Sequence, residues 1–194
     1  LDYAARGETG INFYSARRGL ESAYSYENIR DIAIKQARKL LALGLKREDR
    51  VGIIADMTVD FVTLFMACQY AGLLAVPLPV VTGLGGRHEY EAQLKRVITT
   101  SNAKVALGPD GSLKSLQSGT KDLDLALVGN ADDLEKQKDF DVDLSPLSKD
   151  DPSHIQFSSG STRSPLGVLI SQKSMMANAR AVALHGLEFN KNDR

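Results

Sequence analysis

Ile155-Gln156-Phe157-Ser158-Ser159-Gly160-Ser161-Thr162-Arg163-Ser164-Pro165-Leu166-Gly167-Val168-Leu169-Ile170-Ser171 is the stretch from which the rest of this chain is best read. Two apolar, β-leaning runs flank a loop of hydroxyl side chains, one glycine and one arginine. Hydroxyls and backbone N–H groups donate hydrogen bonds, Gly160 lets the backbone approach a ligand closely, and Arg163 carries a permanent positive fork. That set suits the phosphates of a nucleotide. The same composition also serves a solvated turn between two strands, and the residues alone leave both readings open. A Walker A loop is excluded: six residues separate Gly160 from Gly167, no lysine follows, and the next run reads as a strand instead of a helix. No G-x-G-x-x-G fingerprint opens a helix anywhere in the chain.

Outward from the loop, strand and helix patterns alternate. Ile11 to Tyr14 and Ser22 to Tyr24, across Arg17-Arg18-Gly19, predict a β-hairpin. Ser25 sits at an N-cap position, Ile29, Ile32, Ala33, Ala37, Leu40 and Leu41 recur at helical spacing, and Gly44 ends the helix. Lys35, Arg38 and Lys39 read as its solvated face. Val51 to Ala55 is an unbroken apolar strand of the buried, parallel kind. A helix capped by Thr58 runs to Gly72, and Leu74 to Leu78 is the next strand. A helix from about Tyr90 to Thr100 leads to the strand Lys104 to Leu107, and a short polar segment to a strand over Leu123 to Val128. Ala131 to Asp151, mostly charged, reads as a surface connector. The last helix spans Lys173 to His185, with Met175 and Met176 as core filling. The pattern predicts an α/β fold, a parallel sheet flanked by helices with a β-hairpin near the start. The expected divisions are 1–138, an α/β N-terminal subdomain; 139–153, a connector; and 154–194, the start of a second subdomain carrying the loop.

Composition narrows the function. Lys and Arg total 24 and Asp and Glu total 24, so no net field recruits nucleic acid or an anionic membrane. The three histidines, His88, His154 and His185, have no metal-ligand spacing, so no metal site is predicted. Cys68, the sole cysteine, lies in an apolar run and reads as a buried core thiol; with no disulfide possible, a reducing, cytoplasmic setting is expected. The longest apolar run, Leu73 to Val81, is too short for a transmembrane segment and holds two prolines.

The loop resembles the phosphate-binding signature of the adenylate-forming superfamily, which includes acyl-CoA synthetases, luciferases and adenylation domains. Phe157, Ser158, Ser159, Gly160, Ser161, Thr162, Pro165, Gly167 and Val168 fall into the pattern Tyr/Phe-Thr-Ser-Gly-Ser/Thr-Thr-Gly-x-Pro-Lys-Gly-Val in order. Arg163 replaces its second glycine and Leu166 its lysine, a version similar to the fatty acyl-AMP ligases. The resemblance implies an enzyme, an AMP-forming ligase that activates a fatty acid with ATP to an acyl-adenylate and pyrophosphate. The acyl group would pass to an acyl carrier protein or a polyketide or peptide synthase. It implies ATP contacts from Ser158, Ser159, Gly160, Ser161, Thr162 and Arg163, with no catalytic residue and no metal ligand in this stretch, the magnesium ligands falling downstream. Arg163 would either reach a phosphate or point to solvent or an acid. The alternatives are a long- or medium-chain acyl-CoA synthetase, an amino-acid adenylation domain, or a non-catalytic nucleotide- or partner-binding module. The run Gly186 to Arg194 repeats the wording of Gly44 to Arg50, which precedes a strand. The chain is therefore expected to be an incomplete N-terminal part of the large domain, inactive alone.

Overall fold

The computed structural model describes residues 1–15, 19–81, 86–138, 141–158 and 166–187. A short 3-10 turn, Ala4–Arg6, precedes strands β1 (Gly10–Ser15) and β2 (Gly19–Ser25), which pair antiparallel as the predicted hairpin; Arg17 and Arg18 of its turn lie outside the described residues. A Cβ at Gly10 would lie 2.0 Å from the Tyr24 carbonyl oxygen, so only glycine permits the approach of the two strands there. Helix α1 (Tyr26–Ala42) starts where Ser25 Oγ accepts the Asn28 N–H at 3.1 Å, and Gly44 leaves it with φ +84°.

Six strands then form one sheet among the described residues: β3 (Arg50–Ile54), β4 (Leu74–Leu78), β5 (Ala103–Leu107), β6 (Leu127–Gly129), β7 (Pro152–Ser158) and β8 (Leu166–Ser171), in the order β6-β5-β3-β4-β7-β8. The first five run parallel, as expected; β8 returns antiparallel to β7, because the short loop between them leaves no room for a crossover helix. Alternate residues of the central strands feed two cores. Val51, Ile53, Ala75, Val105 and Leu107 pack under α1 and α2 (Val59–Ala71) with Leu40, Leu64 and Cys68. Ile54, Val76, Leu78 and Ala106 pack under α3 (Gly86–Ser101) and α4 (Asp110–Thr120) with Leu94, Ile98 and Leu116. Cys68 is fully buried, which pushes its thiol pKa far up.

Five local expectations are corrected. The segment expected to be polar and irregular after β5 is the helix α4. Its glycines and serines are poor helix formers, and packing compensates: Leu116 is fully buried, and a Cβ at Gly119 would come within 2.8 Å of the Glu91 carbonyl oxygen, so α4 lies close on α3. The strand expected over 123–128 contracts to Leu127–Gly129 in consequence. Within 131–151 a helix α5 (Ala131–Glu135) forms on a capping box of Asn130 and Asp133, and buries Leu134 against the first core. That segment covers Lys39 on the face of α1 expected to be solvated, while Lys35 and Arg38 stay exposed as expected. Lys39 is only 5% exposed and its ammonium donates to the Gln137 carbonyl, while Lys35 pairs with Glu135. Helix α6 (Gln172–Ala181), continued by a π-helical turn at Val182–Gly186, buries none of its residues, so Met176, 61% exposed, is not core filling in these 194 residues. No described helix is long and apolar enough to cross a membrane.

Candidate nucleotide-phosphate site

Strands β7 and β8 carry the Ser/Gly loop. They are paired from Pro152 opposite Ser171 up to Ser158 opposite Leu166, so the ladder closes directly at the loop's two ends. Strand β7 runs parallel to β4, and the other parallel strands share its direction. Ser158 therefore lies at the carboxyl edge of the sheet, where open α/β folds receive ligands. Ile155 and Phe157 pack into the core under α3 and α4, which holds the strand's orientation from one side. Gly167 faces them: a Cβ there would stand 3.0 Å from Ile155 Cγ2 and 3.0 Å from Phe157 Cζ. Glycine at 167 thus leaves room for the Phe157 ring, and a larger residue would require Ile155 or Phe157 to shift by a few tenths of an ångström. Leu166, at the position where the signature carries lysine, opens β8 and is 65% exposed. Of the predicted phosphate contacts, Ser158 is exposed at the strand end, and Ser159, Gly160, Ser161, Thr162 and Arg163 lie outside the described residues.

On the α2 side of the same edge an open apolar cleft of about 420 Å³ is lined by Ala55, Phe61, Phe65, Pro77, His154 and Gln156, among others. The His154 ring stands edge-on to Phe65 at 5.5 Å, and its burial lowers its pKa, favouring the neutral imidazole. At the far end of the edge a smaller hollow gathers Asp60, Asp110 and Asp132, and burial with the neighbouring Asp132 and Asp110 charges raises the Asp60 pKa. The edge is therefore acidic beside β5 and β6, and apolar with neutral polar groups beside β7.

The connector ahead of β7 is held by a residue that no motif marks. Arg47 donates to the Ser145 carbonyl at 3.0 Å and to Asp151 Oδ2 at 2.7 Å. The Ser148 N–H donates to the same carboxylate at 2.6 Å; with the Ser148 bonds as the larger cause and Arg47 after them, the Asp151 pKa is held below the ordinary carboxylate value. Nothing in the spacing of Arg47 and Asp151 signals this contact, which joins residues 104 positions apart.

Comparison with known families decides what this arrangement belongs to. The AMP-binding enzyme family matches residues 4–194, nearly the whole chain. This chain is a member of the AMP-binding enzyme family. A Caulobacter vibrioides protein named "Putative acyl-CoA synthetase" is 43% identical over 194 residues, covering 100% of this chain and 34% of its own length. A solved structure from a study of fatty acyl-adenylate ligases of E. coli and L. pneumophila superposes with a TM-score of 0.91 at 36% identity, over 100% of this chain and 35% of that one. The McyG A-PCP structure complexed with phenylalanyl-adenylate superposes with a TM-score of 0.82 over 99% of this chain and 30% of that one; at 19% identity this shows the shared fold alone. The chain spans about a third of the length of the relatives it matches. The AMP-binding enzymes are adenylate-forming ligases, and the β-hairpin, helix-flanked sheet and loop-bearing strand pair described above are this family's N-terminal region.

Proposed function

We propose that this chain is the N-terminal portion of a fatty acyl-AMP ligase, which activates a fatty acid with ATP and hands the acyl group to an acyl carrier protein. The observation that carries the reading is the Ser158–Leu166 pair, which brings the two ends of the hydroxyl-rich segment together at the carboxyl edge of the sheet. The likeness over the full chain to a solved fatty acyl-adenylate ligase supports it, as do Arg163 and Leu166 in place of glycine and lysine.

In this reading a fatty carboxylate, already ionised at neutral pH, attacks the α-phosphorus, and pyrophosphate leaves. No general base is required. The chain's task is electrostatic: the backbone N–H groups and hydroxyls of Ser158, Ser159, Ser161 and Thr162 hold the β- and γ-phosphates, Gly160 allows close approach, and Arg163 supplies the charge that the lysine position lacks. The magnesium that accompanies ATP would take its protein ligands from downstream of this stretch, as the family resemblance implies. The division into a subdomain at 1–138, a connector at 139–153 and a loop-bearing segment from 154 onward belongs to the same proposal. It rests on the charged composition of the connector and on the way Arg47 straps it.

A second reading, an acyl-CoA synthetase, is favoured by the name of the 43% identical relative. One experiment separates them. Protein from the complete reading frame is incubated with dodecanoate, ATP, magnesium and CoA, and the products are read by mass spectrometry. Acyl-adenylate without acyl-CoA is the expected result. Predominant acyl-CoA would establish the second reading, and absence of both products across a range of fatty acids would overturn the two together.

A further inference from the structure

The loop-bearing hairpin is held to the sheet by little backbone pairing. Among the described residues β7 joins β4 through one register pair, Ala75 with His154, whereas β3 pairs with β4 through five consecutive residues. Strand β8 is an edge strand, and α6 after it buries none of its residues. Core packing of Ile155 and Phe157 restrains the hairpin from the α3 side. On the α2 side the His154 ring packs against Phe65, and the polar restraint comes from the side chain of Gln69.

The carboxamide of Gln69 is saturated. Its Nε2 donates to the carbonyls of Ser153, at 3.3 Å, and Phe65, at 3.4 Å. Its Oε1 accepts from the Ser153 hydroxyl at 3.1 Å and from Gln172 Nε2. Two donors and two acceptor positions are all that a glutamine amide offers, and all are used. Ser153 is fully buried, so its hydroxyl needs such a partner. The Gln69 backbone carbonyl also accepts the Leu147 N–H at 2.9 Å. One residue of α2 therefore grips the connector, the first turn of β7 and the first residue of α6, at both feet of the β7–β8 hairpin.

Building on the phosphate reading of the loop, we propose that Gln69 is a positioning residue for it: the amide clamps the two feet of the hairpin and so sets where the loop presents its donors. Ser153 and Ser158 are five residues apart, about 17 Å along an extended strand, so Gln69 touches no substrate and acts only through the strands.

Gln69→Glu is the sharpest probe, since a carboxylate keeps the shape and the two acceptor positions but turns charge toward the Ser153 and Phe65 carbonyls. Gln172→Ala, in a partly buried residue, removes one arm of the clamp and tests the same idea if the first variant does not fold. Both are compared with the parent, made from the complete reading frame, in fatty-acid-dependent ATP–pyrophosphate exchange and in amide hydrogen exchange of residues 154–157 and 167–170. The expected result is a KM for ATP raised about tenfold, a KM for the fatty acid moved less than about twofold, and faster amide exchange in the hairpin without nucleotide. An unchanged KM for ATP in a folded variant, with activity falling only in proportion to the folded fraction, would make Gln69 merely structural and overturn the proposal. If the parent shows no pyrophosphate exchange, the ATP reading fails; the amide measurement then decides the clamp, and unaltered hairpin exchange overturns it.

Discussion

Replacing Gly167 by alanine tests the account of how the loop is mounted. Gly167 has no positive φ, so alanine meets no backbone penalty and any cost is steric. The added methyl would sit 3.0 Å from Ile155 Cγ2, 3.0 Å from Phe157 Cζ and 3.1 Å from Phe157 Cε1. Carbon pairs prefer about 3.5–4.0 Å, so three contacts are each short by roughly half an ångström. Crowding the partly buried Ile155 and Phe157 costs about 1–3 kcal/mol, and removing a glycine from the unfolded chain returns about 0.4–1 kcal/mol. The net expectation is a loss of about 1–2 kcal/mol in urea unfolding, with an unchanged slope. The source of the loss is separable. Phe157→Leu removes the Cζ and Cε1 contacts, so Gly167→Ala should cost about 1 kcal/mol less in that background, a coupling visible in a double-mutant cycle. A Gly167→Ala protein as stable as its parent, or a cost unaffected by Phe157→Leu, would refute the packing argument.

Two further perturbations address features that only packing creates. Lys39→Ala removes an ammonium that donates to the Gln137 carbonyl at a 5% exposed position, and should cost about 1–3 kcal/mol in urea unfolding; a change below about 0.5 kcal/mol, typical of a solvated helix position, would restore the simpler reading of that face. Burial lowers the His154 pKa below its ordinary 6.5, so the unfolded chain takes up the proton first as pH falls. The His154 contribution to stability is then full above pH 6.5 and declines as pH drops below it. His154→Gln should flatten the fall in stability between pH 6.5 and about 5, and identical slopes for the two proteins would exclude a buried neutral imidazole.

Much of this fold is legible in local sequence. The caps at Ser25 and Thr58 and the stops at Gly44 and Gly72 work through bonds between residues three or four apart, so neighbouring residues suffice to read them, and they stand where expected. The apolar runs of β3, β4 and β5 are equally local. Helix α4 is not legible in this way, since its serines and glycines argue against a helix, and tertiary packing, through the burial of Leu116 and the approach of Gly119 to Glu91 among others, holds it in place. The burial of Lys39 depends on residues 131–137 lying across α1, a placement that no local pattern gives. The clamp of Gln69 on Ser153 and Gln172 joins residues 84 and 103 positions apart, and no periodicity encodes such a pairing.

At the loop the division has a clear physical basis. The order of hydroxyls, glycine and arginine from Ser158 to Arg163 is a matter of covalent sequence, and with it the family membership and the kind of ligand the loop suits. What tertiary structure decided is where the strands that carry it stand: Phe157 beside Gly167, Ser158 paired with Leu166, and Gln69 gripping the feet of the hairpin set the two strand ends at the carboxyl edge of the sheet. Donor identity is carried by side chains one residue at a time, whereas donor position depends on contacts between segments distant in the chain, and those exist only once the two cores have closed around the sheet.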